Sequence, residues 1–161
     1  FFPVPEPLIQ KKISRVMSLR DGKRKMSKSE ESDYSRINLS DSEDDIKKKI
    51  KKAKTDSLPI PEKIDDLKNR PEALNLLTIY SSITDSTLEK TLKEMAGKDF
   101  SKFKENLSDL LISTICPIGK KIRDLNKDKS YLLKVLQEGS SKARKIAEHN
   151  LNKTKQIVGF I

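Results

Sequence analysis

Apolar residues recur at helical spacing along most of the chain after residue 40. The most extended stripe advances by steps of three, four or one and contains Phe103, Leu107, Leu110, Leu111, Ile115, Ile118, Ile122 and Leu125. Residues at this spacing share one face of an α-helix. Pro117 lies within the stripe, and we expect it to kink the helix because proline removes a backbone donor.

Capping residues indicate where the first helix begins. Ser40-Asp41-Ser42-Glu43 has the sequence of a capping box, in which the serine accepts from a free backbone N–H and the glutamate reaches back to the cap. Ile46, Ile50 and Ala53 follow at helical spacing. The residues around this narrow stripe are lysines: Lys47, Lys48, Lys49, Lys51, Lys52 and Lys54. The lysine face of this predicted helix is either simply solvated or an RNA contact.

Proline and glycine mark the ends of further helices. Residues 55–70 hold two prolines and are predicted to be a linker, and Pro71 suits the first turn of the next helix. That helix is apolar around much of its girth, with Leu74, Leu76, Leu77, Ile79, Tyr80 and Ile83. A second capping box, Ser86-Thr87-Leu88-Glu89, predicts a short helix that Gly97 closes.

The last part of the sequence predicts two helices. Asp128 suits the cap of the first, and Gly139 is expected to end it. The second begins near Ser141 and has one apolar side, formed by Ala143, Ile146, Ala147, Leu151 and Val158. With the preceding segments, this pattern predicts a mostly α-helical bundle over residues 40–161.

The first 39 residues have a different pattern. Val16-Met17-Ser18-Leu19 is a short apolar run typical of a buried strand in a parallel sheet, and Arg36-Ile37-Asn38-Leu39 is a second candidate strand. Asp21-Gly22 marks a turn between them. Because fewer than ~40 residues rarely fold unaided, we expect this segment to complete a larger sheet. The start at Phe1-Phe2-Pro3, without methionine, also suggests a longer polypeptide.

Composition and charge restrict the partners and the compartment. The net charge of +10 attracts polyanions, so nucleic acid, nucleotides and anionic membranes are candidates, with solubility alone as the alternative. The single Cys116 cannot form an intramolecular disulfide, which suits a reducing compartment. One cysteine and one histidine, His149, do not make a zinc cluster. No apolar run approaches the ~18 residues that a membrane span needs.

The residues Lys25-Met26-Ser27-Lys28-Ser29 form the most informative motif. Two ammonium groups three residues apart, with small hydroxyl donors between and after them, make a charged loop suited to phosphate oxygens. In a lysine- and serine-rich chain such a string also arises without function. Its position after a predicted buried strand favours the functional interpretation.

This pentapeptide resembles the second ATP-binding motif, KMSKS, of class I aminoacyl-tRNA synthetases. Its surroundings narrow the resemblance to bacterial and organellar tryptophanyl-tRNA synthetases. The similar surroundings are Val4-Pro5-Glu6-Pro7-Leu8-Ile9, Arg15-Val16-Met17-Ser18-Leu19, Lys52-Ala53-Lys54-Thr55-Asp56 and Ile157-Val158-Gly159-Phe160. The resemblance extends over essentially the whole chain and implies the carboxy-terminal half of such an enzyme. Tyrosyl-tRNA synthetases share the loop but are not known for these flanks.

The resemblance implies ATP-dependent activation of L-tryptophan, accompanied by Mg²⁺, and transfer to tRNA(Trp). Carried over by position, Lys28 is expected to contact the departing pyrophosphate and Lys25 to assist it. Met26, Ser27 and Ser29 are expected in the nucleotide site, and Val16 resembles the residue whose backbone meets adenine.

The family also implies a division of the chain into two parts. Residues 1–39 are expected to be the distal end of a Rossmann-like α/β catalytic domain, and residues 40–161 a helical anticodon-binding domain. Candidate contacts to the RNA backbone are Lys120, Lys121, Arg123, Lys142, Arg144, Lys145 and Lys153. His149 either stacks on a base or is an ordinary surface or half-buried histidine.

The sequence also departs from the family. Glu30-Glu31 follows the loop where aspartate is more usual, and Arg20-Asp21-Gly22-Lys23 replaces the common acid-Pro-Thr approach. The first ATP motif, a histidine pair around Ile-Gly or a close variant, does not occur, so we expect this chain to be inactive alone. The resemblance further implies a full-length homodimer, in the cytoplasm or an organelle matrix, with no membrane partner. The alternatives are a non-catalytic basic helical RNA-binding module and a purely structural bundle.

Overall fold

The computed structural model describes residues 1–9 and 14–160, and most of them are helical. The α-helices are α1 (Glu43–Lys51), α2 (Pro71–Ile83), α3 (Leu88–Met95), α4 (Phe100–Lys127) and α5 (Lys129–Val158). Short 3-10 helices occupy Asp33–Ser35 and Ile64–Leu67. The chain divides into two compact units, Phe1–Gly119 and Lys120–Ile161. None of the helices in the described ranges is long and apolar enough to cross a membrane.

The cap of helix α1 is Ser42, two residues after Ser40, the cap in the first predicted capping box. The hydroxyl of Ser42 accepts from the backbone N–H of Asp45, and the backbone N–H of Ser42 donates in return to the carboxylate of Asp45. The prediction that Ser40 caps the helix is wrong, because Ser42 and Asp45 form the capping box instead, two residues later than Ser40 and Glu43. Asp41, which lies between the two serines, has partners outside the box. Its carboxylate accepts from the ammonium of Lys49 at 2.7 Å and from the backbone of Asn38 at 2.9 Å.

The core of the first unit collects apolar side chains from α1 to α4 and the segments between them. Its buried members are Leu19, Ile46, Ile50, Ala53, Ile60, Leu67, Ala73, Leu76, Leu77, Leu92, Met95, Phe100, Phe103, Leu107 and Leu111. Phe103 packs against Tyr80 and Phe100, with ring centroids 5.5 and 5.9 Å apart. The predicted apolar stripes of α1, α2 and the first half of α4 are therefore confirmed.

Two of the middle helix ends were also predicted. Helix α2 begins at Pro71, as expected. Helix α3 is capped by Thr87, which accepts from the backbone of Lys90, so the predicted capping box is one residue too early. Gly97 follows the helix with a φ of 75°, in the left-handed region that favours glycine, and confirms the predicted stop.

In the second unit, α5 differs from the prediction. Asp128 caps it by accepting from the backbone of Tyr131, as predicted, but the helix continues through Gly139 instead of ending there. A mid-helix glycine costs only ~1 kcal/mol relative to alanine, and helix-forming residues flank it on both sides. The true stop is Gly159, at a φ of 78°. No described residue of α5 is buried.

The two predicted strands are wrong. Across residues 1–9 and 14–160 the only β pairing is one isolated antiparallel bridge, between Met17 and Lys25. A strand of a parallel sheet requires neighbouring strands, and the described residues supply helices and one tight loop instead. Residues 16–19 are nevertheless buried or half-buried, as their apolar pattern predicted.

Candidate functional site: the lysine loop and its support

The lysine loop, residues 25–29, begins with a short antiparallel pairing to residues 16–19. We call residues 16–19 the base segment. Ser18 donates its backbone N–H to the carbonyl of Arg24 at 2.8 Å, and Met26 donates to the carbonyl of Val16 at 3.0 Å. These bonds surround the Met17–Lys25 bridge. The structure therefore places Val16, predicted from the resemblance alone, directly against the loop.

The turn between the base segment and the loop is closed by Asp21. Its side chain accepts from the backbone of Lys23 at 2.9 Å, and its carbonyl accepts from Arg24 at 3.2 Å. Aspartate commonly closes turns in this way. The turn predicted at Asp21-Gly22 is confirmed.

Gly22 brings this turn into contact with helix α2. A Cβ at this position would collide with the carbonyl carbon of Pro71 and would lie only 2.6 Å from its oxygen. Glu72, in the same helical turn, forms an ion pair with Lys54 at 3.0 Å. Burial raises the pKa of Glu72, but Lys54 and nearby backbone N–H groups outweigh burial, and the pKa lies below its ordinary value. At position 22, only glycine permits so close an approach of the turn to the backbone of Pro71.

Within the lysine loop, the two lysines face solvent and the two serines face each other. The hydroxyls of Ser27 and Ser29 are 2.9 Å apart, and the backbone N–H of Ser29 donates to Ser27 at 3.3 Å. Lys25 and Lys28 are exposed, and neither ammonium lies within ion-pair distance of a carboxylate in the part of the chain that the structure describes. Both charges are therefore available to an anionic ligand.

Met26 fixes the loop to the apolar core. Its side chain is half-buried and lines a cavity of about 240 Å³. The other residues around this cavity are Val16, Leu19, Ile37, Ile50, Ile79, Ser82, Ile83 and Leu111. Methionine adapts well to such an irregular apolar space. Met26 thus points inward, while Lys25 and Lys28 remain exposed.

Two arginines hold the far end of the lysine loop. Arg24 pairs with the carboxylate of Glu30 at 3.3 Å, and Arg36 donates to the backbone carbonyl of Glu30 at 2.9 Å. An arginine therefore holds the carboxylate of Glu30 and another holds its carbonyl. Glu30 stands where the family more often has aspartate. The pattern of charges in the sequence did not predict either contact.

A buried lysine anchors the segment that follows the loop. The ammonium of Lys49 lies 2.6 Å from Asp33 and 2.7 Å from Asp41. Burial alone lowers the pKa of Lys49, but hydrogen bonds and charges from the two aspartates raise it overall. The hydrogen bond from Lys49 is the main cause that lowers the pKa of Asp33. This lysine is structural, although the sequence placed it on a solvated or RNA-binding helix face.

Asn75 is the main residue that sequence reasoning missed. It is buried on α2, and its side-chain amide both accepts from the backbone N–H of Met17 at 3.0 Å and donates to the carbonyl of Met17 at 2.9 Å. The signal in the sequence is a single polar residue in the apolar run Leu74-Asn75-Leu76-Leu77. A buried amide needs partners, and an extended backbone supplies them.

The predicted RNA contacts lie in or at the edge of the second unit. Lys120, Lys121, Arg123, Lys142, Arg144, Lys145, His149 and Lys153 are all exposed. No group of three or more histidine, cysteine, aspartate or glutamate side chains suited to a metal ion occurs among the described residues.

Sequence comparison identifies relatives over the whole chain. The tryptophan–tRNA ligase of Caulobacter vibrioides is 48% identical over 160 residues, which cover 99% of this chain and 46% of the relative. That of Rickettsia felis is 49% identical over 158 residues, covering 98% and 47%. The chain thus spans about half the length of the curated relatives it matches.

Comparison of structures agrees with this similarity. Tryptophanyl-tRNA synthetase from Campylobacter jejuni, complexed with ADP and tryptophan, superposes with a TM-score of 0.67 at 27% identity, over 96% of this chain and 46% of that one. The synthetase from Mycoplasma pneumoniae gives 0.60 at 26% identity, over 71% and 36%. The predicted resemblance is confirmed. Since the family model described as tRNA synthetases class I (W and Y) also matches residues 1–116, the chain belongs to this family.

Proposed function

We propose that this chain provides the ATP-binding lysine loop and the tRNA-binding helices of a tryptophan–tRNA ligase. The complete enzyme activates tryptophan with ATP, releases pyrophosphate and transfers the amino acid to tRNA(Trp). The observation that carries the proposal is the pair of exposed ammonium groups on a loop whose base is held by hydrogen bonds, neither of them paired with a carboxylate of residues 1–9 or 14–160. Support also comes from the relatives named tryptophan–tRNA ligase and from the relative solved with ADP and tryptophan.

The chemistry of the first step explains why two exposed lysines are useful. Attack at the α-phosphorus moves negative charge onto the leaving pyrophosphate, and a cation that approaches then stabilises the transition state selectively. One ammonium at ~4 Å contributes about 4 kcal/mol at an effective dielectric near 20. We assign Lys28 to the pyrophosphate and Lys25 to an assisting role. Met26, Ser27, Ser29 and the backbone of Val16 line the nucleotide site.

Mg²⁺ accompanies the nucleotide in this proposal. The described residues near the loop offer ammonium, hydroxyl and backbone groups instead of a carboxylate cluster. The ion is therefore assigned to the phosphates of ATP and not to a protein site.

The test is Lys28→Ala in the full-length enzyme. We expect tryptophan-dependent pyrophosphate exchange to slow by about a thousandfold, because ~4 kcal/mol of transition-state stabilisation is lost. Tryptophan binding should change little, since the loop serves the phosphates. Lys23→Ala removes an exposed lysine just outside the loop and is the matched control. Equal exchange rates in Lys28→Ala and the parent enzyme would disprove the assignment.

We also propose the two functional parts named above, with residues 1–39 belonging to the catalytic domain and residues 40–161 to the anticodon-binding domain. The base segment and the lysine loop pack on α1 and α2, so residues 1–39 share one core with the part of residues 40–161 that belongs to the first unit. The full-length enzyme is proposed to be a homodimer in the cytoplasm or in an organelle matrix.

A second candidate function is a non-catalytic basic module that binds RNA. The exposed lysines and arginines from Lys120 onward favour it, because cations on a helical surface bind phosphates without regard to sequence. The two functions differ in one measurable property. A ligase prefers tRNA(Trp), whereas a general module binds other tRNAs equally well.

A further inference from the structure

The side chain of Asn75 occupies the place of a neighbouring strand beside the base segment. Its oxygen accepts the N–H of Met17 at 3.0 Å, and its nitrogen donates to the carbonyl of Met17 at 2.9 Å and lies 3.4 Å from that of Ser18. The amide thus bonds both the backbone N–H and the backbone carbonyl of one residue, as a neighbouring strand would. These partners are separated by 58 residues in the sequence, so the contact is tertiary.

The opposite edge of the same segment carries the lysine loop. In extended backbone, successive residues direct their N–H and carbonyl groups to opposite edges. Met17 therefore faces Asn75, while its neighbours Val16 and Ser18 bond to Met26 and Arg24. The base segment lies between Asn75 on one edge and the loop on the other.

Helix α2 also contacts the turn before the loop. The first turn of this helix touches Gly22, and the next turn carries Asn75. Both attachments are short and come from one rigid element. The position of the loop relative to the core consequently depends on α2, although no residue of α2 belongs to the loop itself.

Burial makes the Asn75 contact difficult to replace. Asn75 is 6% exposed, and Met17 is half-buried beside it. Without the amide, the N–H and the carbonyl of Met17 would lose their partners, and unpaired buried backbone groups are costly. We expect the base segment to shift until these groups find water, and the lysine loop to move with it.

We propose that Asn75 is a positioning residue for Lys28, acting through the backbone of Met17 and the base segment. The inference rests on the proposed function, since it assigns Asn75 to the same loop chemistry. It adds a residue that contacts neither substrate nor loop. A displacement of about 1 Å at a reacting group can slow a reaction about a hundredfold, so a remote support of this kind is measurable.

The first experiment compares two variants of the full-length enzyme. Asn75→Ala removes all three side-chain hydrogen bonds to the base segment, whereas Asn75→Asp keeps the volume and the acceptor but loses the donor and places a charge against two carbonyls. For both variants we expect kcat of pyrophosphate exchange to fall about tenfold to a hundredfold, with KM for tryptophan within about threefold of the parent. Ser81→Ala is the control, because Ser81 is similarly buried on α2 and its hydroxyl donates within its own helix, to the backbone carbonyl of Thr78.

A double-mutant cycle with Lys28→Ala separates positioning from general destabilisation. If Asn75 acts through Lys28, Asn75→Ala should slow the Lys28→Ala enzyme by less than about threefold. Equal effects in both backgrounds would overturn the inference, as would a variant that melts earlier but keeps the parent rate. The proposed function fails separately, if the parent enzyme shows no tryptophan-dependent exchange or if Lys28→Ala is as active as the parent.

Amide hydrogen exchange tests the structural step without any catalysis. The N–H groups of Ser18 and Met26 should lose protection in Asn75→Ala and keep it in Ser81→Ala. Unchanged protection at both amides would overturn the inference whatever the kinetics show. If Asn75→Ala does not fold, the same two measurements on Asn75→Asp decide the question.

Discussion

Individual residues in this chain are fixed by contacts that lie far from them in the sequence. Gly22 is an example, since its place in the turn follows from the dipeptide Asp21-Gly22 but its tight fit against Pro71 does not. Its φ is not positive, so the need for glycine comes from steric contact and not from backbone conformation. The identity of the residue is therefore set by helix α2.

Replacement of Gly22 by alanine tests this contact. The added Cβ would collide with the backbone of Pro71 and Glu72, which cannot move aside as a flexible side chain does. We expect Gly22→Ala to lower the free energy of unfolding by about 1–3 kcal/mol in urea denaturation.

Gly139→Ala is the matched control, with an effect of opposite sign. A Cβ at Gly139 meets nothing within 4 Å, and the residue lies in the interior of α5. Alanine should therefore stabilise the helix by about 0.5–1 kcal/mol. Identical effects of the two substitutions would contradict the steric account.

At the scale of elements, local signals located the helices and tertiary contacts set their ends. Ser40 and Ser42 each precede an acid by three residues, so either can open a capping box. The structure uses Ser42 with Asp45, while the carboxylate of Asp41 accepts hydrogen bonds from Lys49 and Asn38. Both contacts join residues outside the capping motif, and the motif alone does not reveal them.

The same limit applies to the site. The sequence predicted the lysine loop, its turn and Val16 as a site residue, because these depend on neighbouring residues and on a family motif. It did not reveal Asn75 or the two arginines that hold Glu30, because such contacts require the fold. The predicted strands failed for a related reason, since an apolar run shows burial but not which partners surround it.

The ion pairs of Lys49 predict how stability depends on pH. The pKa of Asp33 is lowered on folding, so its contribution is present above the ordinary pKa near ~4 and is lost as pH falls below it. The pKa of Lys49 is raised, so its contribution is present below ~10.4 and is lost as pH rises beyond that value. The melting temperature should therefore fall both below pH ~4 and above pH ~10.4.

Lys49→Met is the variant that tests this network. It leaves the buried carboxylate of Asp41 without its ammonium partner, and breaking a buried pair in this way costs about 3–5 kcal/mol. It also removes the main cause of the lowered Asp33 pKa, so the loss of stability below pH ~4 should become shallower. Lys47→Met, at an exposed position of the same helix, should change neither property. Equal acid slopes in all three proteins would refute the account.

At the scale of the whole molecule, the exposed helix α5 carries many of the positively charged residues. The net charge is +10, and every predicted RNA contact is exposed. Cations on such a surface bind phosphates and release counterions, so affinity falls with salt in proportion to the number of contacts. Preference among RNAs must come from unpaired bases, which are read by stacking and by hydrogen bonds.

Binding of tRNA by the full-length protein distinguishes the two proposed functions. Replacing Lys142, Arg144 and Lys145 together by alanine should weaken binding of tRNA(Trp) and reduce the slope of log affinity against log salt by about 2, since each lost contact to single-stranded RNA accounts for ~0.7. The control replaces Lys63, Lys90 and Lys93, which are exposed in the first unit, and should leave the slope unchanged. A ligase should bind another tRNA more weakly than tRNA(Trp) at every salt concentration, because phosphate contacts alone do not discriminate. Equal affinity for both tRNAs would favour the general RNA-binding module, and an unchanged slope in the triple variant would remove these residues from the interface.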